Sequence, residues 1–314
     1  MRNGRILAYE KSEVLMQDRT LTEVYFGTAT PRKPAGGEDP AGAIAFAPIQ
    51  SPDQGRCHMT VATFPGSMAA CIGRPERSIS QEGSNLLLDI EHLNAGYRKI
   101  QILFDISLRV AAGEIVGLIG HNGAGKTTLL KTVMGLVKAT GGTIGFDGED
   151  LTNAPSMVKL DRGIFHVPQE NYVFKALSVK DNLALSFFRI NDKELFAERL
   201  EEVCQYFPIL KERLGQQSST LSGGQRRMLG IAMGLLRHPR LLLLDEPSVG
   251  LSPRIFQDVL EVVWNINQVM NTTIMLVEQN VKAAFELSDR VYVLKSGQVV
   301  FEELLKRDEW WDLF

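Results

Sequence analysis

The chain has 314 residues and a net charge of −3. It has room for one large domain or two ordinary ones, and it lacks the basic footprint of a nucleic-acid binder. Cys57, Cys71 and Cys204 are scattered without a CxxC pair, which excludes a disulfide framework or zinc site and fits unpaired thiols in a reducing cytoplasm. No apolar run approaches the roughly 20 residues that cross a bilayer. Glu10, Lys11 and Glu13 break up any secretory signal, so membrane association is expected only through a partner.

Residues 1–27 read as a strand, a turn and a Leu-rich helix. They echo the last stretch, SGQVVFEELLKRDEWWDLF (296–314). Chance likeness of two short strings competes with a tail carried over from a second, related protein, either by gene fusion or by an upstream start. Residues 28–84 are rich in Gly, Pro, Ala and Ser without periodicity. Few apolar anchors remain there to offset ordering entropy, so this segment is expected to be a disordered linker.

From Leu86 the pattern becomes regular. LLLDIEHL and LFDISLRV predict two strands flanking a turn at Asn94-Ala95-Gly96. IVGLIG (115–120) is a continuous apolar run that suits a strand buried on both faces of a mainly parallel sheet. KTTLLKTVMGL predicts a helix, and TIGFDG and GIFHVPQ predict strands, the second ending at Pro168. Helical patterns follow over 178–207 and 222–236. LLLLD (241–245) is another buried strand, Pro253 opens a helix, and TIMLVE, DRVYVLK and GQVVFE complete the strands. The alternation predicts an α/β domain over 85–314 with a parallel core sheet. The helix-rich block at about 170–238 interrupts it and reads as a helical subdomain.

Three motifs carry the chemistry. Gly120-His121-Asn122-Gly123-Ala124-Gly125-Lys126-Thr127 matches GxxxxGK[ST] between a strand and a helix, the context of a phosphate-binding loop. Its backbone N–H groups and helix N-terminus suit a β-phosphate. Lys126 is placed for the β/γ oxygens and Thr127 for Mg²⁺, while His121 is expected to face solvent. LLLLDE delivers two carboxylates to a strand end: Asp245 for Mg²⁺ through water, and Glu246 to polarise the attacking water. Between them lies Leu221-Ser222-Gly223-Gly224-Gln225, in which Ser222 is a fitting N-cap and Gly223, Gly224 and Gln225 open a helix. That helix start is a second anion site without a lysine. Chain order puts it on a different lobe from Lys126, which implies a dimer with ATP held between two chains. Gln169 follows a strand end, where its amide can reach Mg²⁺ or water. Tyr97 lies between the first two strands, where a ring can stack on adenine.

These motifs in this order resemble the ATP-binding subunit of an ABC transporter over about 86–314. The resemblance implies a P-loop fold of ABC type, with a parallel core sheet, an antiparallel β subdomain and a helical subdomain. It implies Tyr97 as the adenine-stacking residue, Gly120–Thr127 with Thr128 as the Walker A loop, and Gln169 as the Q-loop. It also implies Leu221–Gln225 as the signature, Asp245 and Glu246 as Walker B, Ser248–Ser252 as the D-loop and Gln279 as the switch residue. Most of that family has Asp where Ser252 stands and His where Gln279 stands. EPSVGLSP followed by LVEQN is similar to the second ATPase of branched-chain amino acid importers. Residues 1–27 likewise resemble the end of a partner ATPase. The resemblance implies ATP and Mg²⁺ as cofactors, and a related ATPase or a second copy as dimer partner. It also implies two permease subunits, a periplasmic solute-binding protein acting indirectly, and a peripheral place on the cytoplasmic face of the inner membrane. Competing expectations are a soluble ATPase of translation or DNA repair, and a nucleotide-binding regulator that does not hydrolyse. A single cassette with no coiled-coil insert weighs against the first. Ser252 and Gln279 motivate the second.

Overall fold

The computed structural model describes residues 85–170, 173–190 and 192–305. The segments 1–27 and 28–84, for which a tail and a linker are expected, lie outside the described residues. In chain order the first elements are β1 (Leu86–Tyr97), β2 (Ile100–Ala111), β3 (Ile115–Ile119), α1 (Lys126–Val133), β4 (Ala139–Phe146) and β5 (Glu149–Asp150). Then come α2 (Ser156–Asp161), β6 (Ile164–Val167), α3 (Val179–Phe187), α4 (Lys193–Tyr206), α5 (Pro208–Lys211) and α6 (Gly223–Leu235). The last are β7 (Leu241–Asp245), α7 (Pro253–Met270), β8 (Thr273–Glu278), α8 (Val281–Leu287), β9 (Arg290–Lys295) and β10 (Gln298–Leu304).

One sheet is antiparallel, in the order β2-β1-β4-β5. The other has the order β10-β9-β3-β8-β7-β6, and all its neighbours run parallel except the β9–β10 pair. Every residue of β3, β7 and β8 is buried. That is why these strands read as unbroken apolar runs rather than as alternations. Helix α1 touches β1 and β2 of one sheet and β7 of the other. Between β6 and β7 the described chain contains helices and no strand.

The expected turn at Asn94-Ala95-Gly96 is corrected: those residues lie inside β1, and the hairpin turns at Arg98-Lys99. The glycine marks a close approach. A Cβ at Gly96 would sit 2.1 Å from the Ile100 carbonyl oxygen, and the strand pairing is irregular from Leu93 to Gly96. Tyr97 therefore ends β1, opposite Ile100.

The parallel register sets up the site. Ile119 pairs with Glu278 and Asp245 with Val277, while Val167 pairs with Leu244. The carboxyl ends of β3, β6, β7 and β8 thus share one edge, the side on which open α/β sheets hold ligands.

Candidate active site at the strand ends

Each of those strand ends hands over to a predicted site residue. β3 leads through Gly120 into the loop that caps α1, with Gly123 at φ 81° and Gly125 at φ 106°. The left-handed turn lets the loop fold back on itself. Lys126 is buried, and its Nζ donates to the carbonyls of Gly120 (2.8 Å) and His121 (3.2 Å). It also lies 3.5 Å from Glu246 Oε1. His121, Asn122 and Gly123 are exposed, whereas Ala124, Gly125 and Thr128 are buried.

Glu246 is the hub. Its Oε2 accepts from Gln169 Nε2 (3.0 Å) and from Gln279 Nε2 (2.8 Å). Lys126, from the start of α1, and Gln169 and Gln279, from beyond β6 and β8, therefore meet on the carboxylate of Glu246 just past the end of β7. Glu246 has φ 45°, a left-handed conformation that costs a non-glycine residue on the order of 1–3 kcal/mol and gathers at functional sites. Its N–H donates to the Val277 carbonyl at 3.0 Å, which holds the turn.

Asp245 is buried and accepts from Thr127 Oγ1 at 3.1 Å on Oδ1, while its Oδ2 is buried without a hydrogen-bond partner. Burial pushes its pKa up, against the Thr127 bond; the Glu246 charge adds to the rise. An orphaned carboxylate oxygen beside a hydroxyl suits a hard cation. Among the described residues no cluster of three His, Cys, Asp or Glu could hold a metal without help. One carboxylate, one hydroxyl and substrate oxygens are the donor set that Mg²⁺ takes. The raised pKa means that the fold favours protonated Asp245: this stabilisation is present at low pH and lost as pH rises through the folded pKa. Asp245→Asn removes the buried charge. It should raise the thermal midpoint without nucleotide, by relieving the desolvation that raises the Asp245 pKa, and abolish extra stabilisation by Mg²⁺ with ATP. Thermal melts with and without Mg²⁺ check both.

Ser222 caps α6 with a reciprocal box: Gln225 N–H donates to Ser222 Oγ (3.2 Å) and Ser222 N–H to Gln225 Oε1 (3.0 Å). The nearest atoms to Cβ positions at Gly223 and Gly224 belong to Gly250 and Ile255, not to the loop 120–127. The structure thus brings Lys126, Thr127, Asp245, Glu246, Gln169 and Gln279 together, while the hydrogen bonds of Ser222 and Gln225 are to each other. Tyr97 is 44% exposed at the hairpin end. Nearby Ile102 and Leu103 come within 3.7 and 2.9 Å of a Cβ position at Gly125, which sets this hairpin beside the loop.

Two residues outside the sequence-based set belong to this edge. Glu278 is fully buried and accepts from Ser248 Oγ (2.7 Å), Ser248 N–H (3.1 Å) and Gln279 N–H (3.2 Å). It joins the loop after Glu246 to the loop that starts at Gln279, and burial raises its pKa. Its signal was available: an acidic residue closing an apolar strand, as in LLLLDE. Arg227 is buried on α6 and donates to backbone carbonyls at Pro168, Gln169 and Glu246. A charged residue three positions from buried Gly224, on the buried face, was its only local sign.

Comparison with known proteins identifies the family. Residues 103–249 match the family described as ABC transporter. The high-affinity branched-chain amino acid transport ATP-binding protein BraG of Pseudomonas aeruginosa is 43% identical over 217 residues, covering 69% of this chain and 92% of the relative. The probable branched-chain amino acid transport ATP-binding protein LivF of Archaeoglobus fulgidus is 37% identical over 221 residues, covering 69% and 93%. Among solved structures, cbiO1 from Clostridium perfringens, part of the ABC transporter complex cbiONQ, superposes with a TM-score of 0.64 at 26% identity, covering 70% of this chain and 89% of that one.

Proposed function

This chain belongs to the ATP-binding subunits of the ABC transporter family, and from that membership we propose that its strand-end cluster hydrolyses ATP to drive solute import through partner permeases. The observation that carries the reading is the meeting of Lys126, Gln169 and Gln279 on the carboxylate of Glu246. We read residues 85–314 as the cassette, with a helical subdomain at about 170–238.

In this account Tyr97 stacks on adenine. The loop Gly120–Thr128 wraps the β-phosphate with backbone N–H groups, and Lys126 turns from its own loop carbonyls to the β/γ oxygens. Thr127 and Asp245, with Gln169 through its amide oxygen, would hold Mg²⁺, which when bound would neutralise phosphate charge. Glu246 takes the proton of the attacking water as the water oxygen bonds to the γ-phosphorus and the bond from that phosphorus to the β–γ bridging oxygen breaks, releasing ADP and phosphate. Gln169 and Gln279 orient that carboxylate, and Gln279 can also donate to the γ-phosphate. It does so as a neutral amide, without the charge of an imidazolium.

Ser222–Gln225 take no part in the hydrogen bonds of this cluster and suit the triphosphate of a second cassette, either a related ATPase or another copy. Ser252 and Gln279 favour the non-identical partner. No helix among the described residues is long and apolar enough to cross a membrane. Two permease subunits would supply the pathway, with the cassette peripheral on the cytoplasmic face of the inner membrane. A periplasmic solute-binding protein would deliver the solute. The names of BraG and LivF favour branched-chain amino acids as that solute; urea and short-chain amides are the alternatives to exclude. The test is a pull-down of the tagged full chain from native membranes. Recovery of a permease pair and a second ATPase is expected. Recovery with ribosomes, or with no membrane protein, would contradict the importer reading.

A further inference from the structure

We propose that Arg227 is a positioning residue linking the helix that presents Ser222–Gln225 to the two side chains that act on this chain's own ATP. The inference deepens the reading above and rests on it. Arg227 lies one turn into α6 and is 2% exposed. Its guanidinium donates from Nη1 to the Pro168 carbonyl (2.9 Å) and from Nη2 to the carbonyls of Gln169 (3.1 Å) and Glu246 (3.0 Å). Two of these carbonyls belong to Gln169 and Glu246 themselves and the third to Pro168 just before Gln169, all just past the ends of β6 and β7.

The contacts close a ring. From Arg227 it runs through the Gln169 backbone to the Gln169 amide, across 3.0 Å to the Glu246 carboxylate, and through the Glu246 backbone back to Arg227. Glu246 sits at φ 45° and needs outside support to stay there. The planar guanidinium offers five N–H donors in a fixed fork, so it fixes the angle between the two strand ends as well as their distance. A lysine ammonium is a single point on a flexible stem and cannot span the same set.

The other end of α6 gives this ring a purpose. Ser222 caps the helix one turn before Arg227, and Gly223 there is exposed. A phosphate gripped at that start displaces the first turn, and Arg227 passes the displacement to Gln169 and Glu246. Occupancy of the partner's site would thus set the geometry of this chain's own site.

The experiment compares Arg227→Lys and Arg227→Gln with the unaltered full chain, purified together with its membrane partners. Expected is a fall in kcat of at least about tenfold with KM and ATP affinity within about twofold, the mark of an interaction made in the transition state. In the Gln169→Ala background, Arg227→Lys should cost little more, because both act through one ring. Unchanged kcat, or a loss that adds fully to that of Gln169→Ala and tracks a fall in thermal midpoint, would overturn the inference. Arg227→Lys keeps the charge and tests the idea even if Arg227→Gln fails to fold. Failure of the underlying reading looks different: Lys126→Ala would then leave ATP affinity intact, whatever Arg227 does.

Discussion

Glu246→Gln should lower phosphate release by on the order of 10²–10⁴-fold while ATP still binds. The substitution keeps the shape of the side chain. Its remaining carbonyl oxygen can still accept from Gln169 and Gln279, which now share Oε2. What is lost is the capacity to take a proton from water, together with the contact to Lys126 at 3.5 Å. ATP offers Lys126 a more highly charged partner than Glu246, so affinity holds. Glu246→Asp is a second probe. Its shorter stem withdraws the carboxylate from both amides, and a comparable loss is expected with the negative charge retained. Single-turnover phosphate release beside a nucleotide titration checks both variants. Normal turnover by Glu246→Gln would remove Glu246 as the base.

Lys126→Ala should weaken ATP binding by roughly 10- to 100-fold. A hydrogen bond to a charged group contributes about 1.5–3 kcal/mol, and each 1.4 kcal/mol is tenfold in affinity. The ammonium rests on the carbonyls of Gly120 and His121 inside its own loop and exchanges them for phosphate oxygens when ATP arrives. Truncation also leaves Glu246 buried without its neighbouring cation, so the thermal midpoint should fall in the absence of nucleotide. Lys126→Met fills the space without charge and separates the two effects. Titration with a fluorescent ATP analogue is the measurement, and unchanged affinity would refute the role.

The motif-bearing strands were legible because burial on both faces leaves an unmistakable apolar run, as in IVGLI and LLLLD. The loop 120–127 and its helix were legible from spacing alone. The β1 turn was misplaced because Gly96 looks like a turn residue but serves a close approach to the Ile100 carbonyl. Helices α2 and α8 were not expected. SMVKLD and VKAAFEL are too short to display two helical periods. Arg227 escaped for a different reason. Its partners lie far away in sequence, and nothing local says that a guanidinium will find the carbonyls of Pro168, Gln169 and Glu246.

If Ser222–Gln225 complete an ATP site on a second cassette, Gly223→Asp should spoil that site. Gly224 cannot be changed safely, since a Cβ there would lie 2.2 Å from Ile255 Cγ2, whereas at Gly223 the nearest atom is the Gly250 carbonyl at 3.9 Å. An aspartate in the first turn favours the helix through its dipole, so α6 should persist while its start repels phosphate. The measurement is ATP-dependent association with the copurifying ATPase, by sedimentation in the Glu246→Gln background. The account predicts that Gly223→Asp keeps ATP affinity at Lys126 and loses that association. Association that survives Gly223→Asp unchanged would contradict the shared site.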